Sequence, residues 1–76
     1  MDYDYRKMGE LIRKIRMERG LSQEVLSGLA GIGRSHLSMI ETGSKNASVE
    51  TLWSLAGALD LPVSALFKRY EKDYSD

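Results

Sequence analysis

The chain has 76 residues, no formal net charge, 42% hydrophobic and 29% charged residues, which is one small globular domain and excludes a disordered chain. It has no cysteine, so disulfides and a zinc-thiolate site are excluded, and a reducing compartment fits. No apolar run reaches membrane-spanning length, and the start Met1-Asp2-Tyr3-Asp4-Tyr5 is polar and acidic, so the expectation is a soluble, cytoplasmic protein with no membrane partner.

Neutrality argues against indiscriminate binding to nucleic acid, for which a strongly basic balance is usual. The charge is unevenly spread. Residues 1–46 carry eight Lys/Arg against six Asp/Glu, and residues 47–76 carry three against five, which leaves room for a basic face in the first half.

Met8, Leu11, Ile12 and Ile15 recur at helical spacing, one apolar stripe on an otherwise charged first helix. Glu10 and Lys14 stand four apart in the favourable order, and Arg19-Gly20 reads as a stop. Ser22 is a good N-cap for a short second helix whose apolar face is Val25, Leu26 and Leu29. Ala30-Gly31-Ile32-Gly33 is a tight turn. A third helix over about Arg34 to Thr42 turns Leu37 and Ile40 inward and ends at Gly43. Ser48 caps a fourth, with Val49, Leu52, Leu55, Ala56 and Leu59 at three- and four-residue steps. Asp60-Leu61-Pro62 breaks it, Pro62 suits the first turn of a fifth helix, and Val63, Leu66, Phe67 and Tyr70 give that helix its apolar side. Nothing reads as strand. The expectation is an all-α fold, a compact five-helix orthogonal bundle forming a single domain over residues 1–76 with its core over about 8–70.

The stretch Ser22 to Gly43 carries the most information. Two helices of eight or nine residues are joined by a turn too short for antiparallel packing, so they must cross steeply, as in a helix-turn-helix over about residues 22–42. That crossing needs a small residue in the first helix (Ser27), a residue tolerant of positive φ in the turn (Gly31), and apolar wedges (Ile32, Leu37, Ile40).

From Met8 to Phe67 the chain resembles the lambda-repressor-like, Xre-type family of prokaryotic DNA-binding domains. The resemblance lies in Leu21-Ser22-Gln23, Leu26, Gly31-Ile32, Leu37-Ser38, Ile40-Glu41, Gly43, Ser48-Val49-Glu50-Thr51-Leu52, Leu55-Ala56 and Ala58-Leu59. It implies a sequence-specific, double-stranded-DNA-binding transcriptional regulator whose third helix enters the major groove. Three positions depart from the pattern. Ser27 replaces the usual alanine, Gly33 stands where Ser, Thr or Asp would cap the third helix, and Met39 occupies an exposed position that is often polar.

Arg34, Ser35, His36 and Met39 fall opposite Leu37 and Ile40. Arg34 can pair with a guanine edge, Ser35 and His36 can reach bases or phosphates, and Met39 can lie on a thymine methyl. His36 has no partner at metal-ligand spacing, and it is either a pH-tuned contact or an incidental polar residue. Ser22 and Gln23 start the second helix, where free amides favour a phosphate, and the residue matching Gln23 in the resembled family contacts the DNA backbone. Lys45 and Asn46 are assigned mainly to phosphates, with Lys45 also able to reach a base. The resemblance pairs Arg16 with Glu41 in a partly buried ion pair between the first and third helices. Trp53, Phe67 and Tyr70 are the candidate homodimer interface, the alternative for Trp53 being a cap on the monomer's own core. A dimer would read a palindromic or pseudo-palindromic operator.

No catalytic constellation, phosphate-cradling loop, metal set, cofactor site or small-molecule site is legible, so an enzyme is not expected. The rival from another class is a protein-interaction module, such as an antitoxin, that has lost or reduced DNA binding. The pattern Arg34-Ser35-His36-Leu37-Ser38 with Lys45-Asn46 looks most like restriction-modification controllers.

Overall fold

The computed structural model describes residues 2–74, and among them the chain is helical with no strand. The helices are α1 (Tyr5–Glu18), α2 (Gln23–Ala30), α3 (Arg34–Glu41), α4 (Val49–Ala58) and α5 (Val63–Tyr74). None is long and apolar enough to cross a membrane. The all-α, five-helix expectation holds.

The α1 stripe of Met8, Leu11, Ile12 and Ile15 is wholly buried, and α1 packs on both α3 and α5. Leu26 of α2, Leu37 and Ile40 of α3, Leu52, Leu55 and Ala56 of α4, Leu59 just after it, and Leu66 of α5 close the core around that stripe. Each such leucine or isoleucine contributes about 1.5–3 kcal/mol by burial, set against the conformational entropy lost on ordering the chain. Among the described residues no buried side-chain nitrogen or oxygen is left without a hydrogen-bond partner.

The helix ends follow from local chemistry. Asp4, Ser22 and Ser48 cap α1, α2 and α4 by accepting from Arg6, Val25 and Thr51 backbone N–H groups. The end of α3 is a left-handed stop at Gly43 (φ 81°), where Gly43 N–H donates to Ile40 O and Ser44 N–H to Met39 O. The same pattern ends α4 at Asp60, a non-glycine held at φ 61°, with Leu61 N–H donating to Ala56 O at 2.8 Å. Pro62 lies just ahead of α5, its carbonyl accepting from Leu66 N–H.

Several sequence expectations change. In α2 only Leu26 of the three apolar residues is buried, whereas Val25 and Leu29 are exposed and Ser27 takes the second inward position. An eight-residue helix that packs on α3 and α4 buries a narrow stripe, and Ser27 lets it approach closely while its hydroxyl donates to Glu24 O. Val49 is likewise exposed at the start of α4. Lys14 does not pair with Glu10. It reaches Asp73 across to α5 at 3.7 Å, beside the Arg69 pair to Glu18 at 2.7 Å. Tyr70, expected at a dimer interface, is instead packed inside its own chain. It is 3% exposed, its hydroxyl accepts from Asp4 N–H at 2.8 Å, and its ring lies against Tyr3 and Tyr74. Periodicity over α5 could not distinguish this position from Phe67, because the partner lies 66 residues away.

Candidate nucleic-acid interface

A helix of eight residues is too short to hold itself in water, so surrounding contacts must fix α3. Leu37 and Ile40 anchor its inner side. The period of 3.6 residues then turns Ser35 and Met39 directly outward, with Arg34 exposed on one flank and His36 half-buried on the other. Gly33, at the N-cap, offers no side chain, so the first amides of α3 have no side-chain cap.

The far end of α3 is tied by charge. Arg16 donates from Nε to Glu41 Oε2 at 2.7 Å and from Nη2 to Glu41 Oε1 at 2.9 Å, a fork-on-fork pair. Its Nη1 donates to Leu21 O at 2.7 Å, so the same guanidinium also holds the loop before α2. Glu41, through its hydrogen bonds, raises the Arg16 guanidinium above its ordinary value. Gln23 completes the cluster, its Nε2 donating to Glu41 Oε1 at 3.0 Å. One carboxylate therefore gathers α1, the start of α2 and the end of α3.

Gly9 sets how closely α1 meets α3. An added Cβ there would land on the Ile40 carbonyl oxygen, so only glycine permits the contact. Beyond α3, the loop winds back on the helix end. Thr42 Oγ1 donates to Ser38 O at 2.9 Å, and Met39 O accepts from the Ser44 hydroxyl and from the Ser44 and Lys45 N–H groups. This fold-back projects Lys45 and Asn46 into solvent.

Arg34, Ser35, His36 and Met39 thus share α3, Lys45 and Asn46 sit on the loop that closes it, and Ser22 and Gln23 stand at the α2 end joined to it through Glu41. Trp53 does not join this group. It projects from α4 with 64% of its surface exposed, and Phe67 is half-buried on α5 beneath Tyr3, with ring centres 5.9 Å apart. The roles of Gly9, Thr42 and Ser44 were missed by sequence reasoning, because none belongs to a periodic apolar or charged pattern. Among the described residues no three His, Asp or Glu side chains gather to hold a metal ion.

Comparison with known proteins gives these features a family. The helix-turn-helix family model matches residues 12–66. The immunity repressor of Bacillus phage phi105 is 44% identical over 59 residues, 78% of this chain and 41% of that repressor, so the chain spans less than half of its length. The restriction-modification controller protein C.AhdI from Aeromonas hydrophila is 41% identical, with a TM-score of 0.80 over 84% of this chain and 97% of that one. The controller C.Esp1396I, solved as a tetramer in complex with its natural 35-base-pair operator, is 27% identical, with a TM-score of 0.88 over 96% of each chain. This chain belongs to the Xre-like helix-turn-helix family.

Proposed function

We propose that the chain is a transcriptional regulator of the cytoplasm that binds double-stranded DNA by laying α3 in the major groove, acting as a homodimer on a palindromic or pseudo-palindromic operator. The observation that carries the reading is the division of α3 into two faces. One is locked by Leu37, Ile40 and Glu41, and the other presents Arg34, Ser35 and Met39 to solvent. A helix presented this way fits the major groove, where Arg34 can fork onto guanine and Met39 can cover a thymine methyl. Ser22, Gln23, Lys45 and Asn46 flank it at positions suited to phosphates, which fix register without reading sequence. The operator complex of C.Esp1396I supports the reading by likeness of fold. No catalytic role is assigned.

A single short α3 reads few base pairs, and a two-fold dimer gains specificity by reading half-sites about one DNA turn apart. The residues assigned to that contact are Trp53 with Val49, both standing out from α4, and Phe67, half-buried on α5. A protein-interaction role is the second reading, favoured by the exposed Met39 on a chain of zero net charge.

The deciding experiment is a salt series of the purified protein on DNA fragments from around its own gene, with sedimentation alongside. Steeply salt-dependent binding to one fragment by a dimer is expected. Arg34→Ala should relax the preference by about 1–3 kcal/mol, and Trp53→Lys should yield monomers. Absence of any fragment preference at low salt refutes the DNA reading in favour of a protein partner.

A further inference from the structure

The N-terminal turn of α1 runs beside the loop that follows α3. An added Cβ at Gly43 would lie 3.1 Å from Arg6 Cγ and 3.2 Å from Arg6 Cβ, so the Arg6 stem packs over Gly43. Gly43 joins the end of α3 to Ser44 and Lys45, which places Arg6 beside the loop carrying Lys45 and Asn46. Beyond that stem the side chain stays in water, with 68% of its surface exposed. An arginine with a seated stem and a solvated head is the usual way a long cation is aimed without being buried.

The head is also oriented. Asp4 Oδ1 accepts from Arg6 Nε at 3.2 Å, and Asp4 Oδ2 accepts from Arg6 Nη2 at 3.1 Å. Asp4 is itself held as the cap of α1 and through its N–H on Tyr70. The guanidinium fork is thereby fixed on one edge, and its Nη1 makes no hydrogen bond among the described residues. Asp4, Arg6, Lys7, Glu10, Glu41 and Thr42 line one open groove here. Of its carboxylates, Glu41 is engaged by Arg16 and Asp4 by Arg6, leaving Glu10 as the charge that opposes an anion.

We propose that Arg6 is a further contact to the DNA backbone, extending the α3 face past Lys45 onto a phosphate of the flanking strand. The inference rests on the DNA-binding reading above. Its chemistry is that of a guanidinium on a phosphodiester, which adds affinity and register but no base preference. Nothing in the spacing of the sequence marked Arg6, since only its packing on Gly43 brings it to this edge.

The test compares the unaltered protein, Arg6→Gln and Lys68→Gln on an operator fragment and on a scrambled fragment across a salt series. Lys68 is exposed on α5, where it lines a separate groove with Arg69 and Lys72. Loss of one phosphate contact should lower the slope of log K against log salt by about 0.9. The advantage of the unaltered protein over Arg6→Gln should therefore shrink about 3-fold between about 50 and about 200 mM salt, equally on both fragments. Lys68→Gln should keep the parental slope. Circular dichroism at each salt concentration, showing the variants fully folded throughout, keeps a modest loss of stability in Arg6→Gln from imitating this result. A parental slope in Arg6→Gln, or an equal drop in Lys68→Gln, overturns the Arg6 contact while leaving DNA binding intact. Failure of the unaltered protein to bind either fragment overturns the underlying reading as well.

Discussion

Replacing Arg16 by alanine isolates what holds α3 in place. Arg16 is 10% exposed at its side chain and Glu41 is wholly buried, so the substitution strands a carboxylate in the interior. Glu41 Oε2 loses its 2.7 Å donor, Oε1 keeps only Gln23, and the Leu21 carbonyl loses its 2.7 Å donor as well. Breaking one side of a buried pair costs about 3–5 kcal/mol, because the charge left behind is uncompensated. A small domain has a total stability of about 5–15 kcal/mol, so the loss takes a large share of it. At about 4–8 °C per kcal/mol for a chain of this size, Tm should fall by about 12 °C or more. Far-UV circular dichroism during thermal and urea unfolding measures this. Exposed Trp53 is a poor reporter of the core. The paired variant Arg16→Met with Glu41→Leu is the control, since removing both charges together should recover most of the loss. An Arg16→Ala protein within about 1 kcal/mol of the parent refutes the reasoning, for it would mean that water already reaches Glu41.

Gly9→Ala and Gly57→Ala should move stability in opposite directions. Both are helical glycines, and alanine gains up to about 1 kcal/mol in an open helix, as at Gly57, where an added Cβ meets nothing within 4 Å. At Gly9 the added Cβ meets the Ile40 carbonyl, and overpacking of about 1–3 kcal/mol outweighs that gain. Urea midpoints that shift the same way for both variants would disprove the close approach of α1 and α3. Acid should also weaken the fold. Hydrogen bonds from Arg69 hold the Glu18 carboxyl below the ordinary carboxylate range. A group whose pKa is depressed on folding contributes stability above its unfolded value and loses it as pH falls through the folded value. Glu18→Gln should therefore flatten part of the stability loss below the ordinary carboxylate range, and high salt should do the same. Urea midpoints at stepped pH that run parallel for parent and variant would rule this out.

The helices and their stops were legible because each is written locally. Ser22 and Ser48 cap, Gly20, Gly31 and Gly43 stop, and the Met8–Ile15 stripe has one period throughout. Of the site, the exposed run of α3 could be read from the inward spacing of Leu37 and Ile40. What could not be read depends on which surface a neighbour covers. Val25 and Leu29 are as apolar as Leu26, and only the narrow contact of α2 decides that they stay outside. Asp4 and Tyr70 are 66 residues apart, and their bond buries a tyrosine that helical spacing alone left free for a partner. Gly9 carries no side chain to betray its contact with Ile40, and Arg6 reaches the loop after α3 only through the empty space above Gly43.

On the proposed DNA-binding reading, stability and recognition are separated on α3 but meet at Gln23. Arg34, Ser35 and Met39 have no part in the core, so they can vary without refolding the helix. Glu41 and its partners, in contrast, determine where that helix sits. Gln23 belongs to both groups, since one amide hydrogen is committed to Glu41 while the residue also opens α2 at the proposed phosphate contact. A side-chain amide has a second N–H and a carbonyl oxygen to spare, so it can bridge Glu41 and a phosphate at once. Glutamate cannot, because it offers no donor to either anion. On the proposed DNA-binding reading, the residue at this position is constrained twice, by the buried carboxylate behind it and by a phosphate in front.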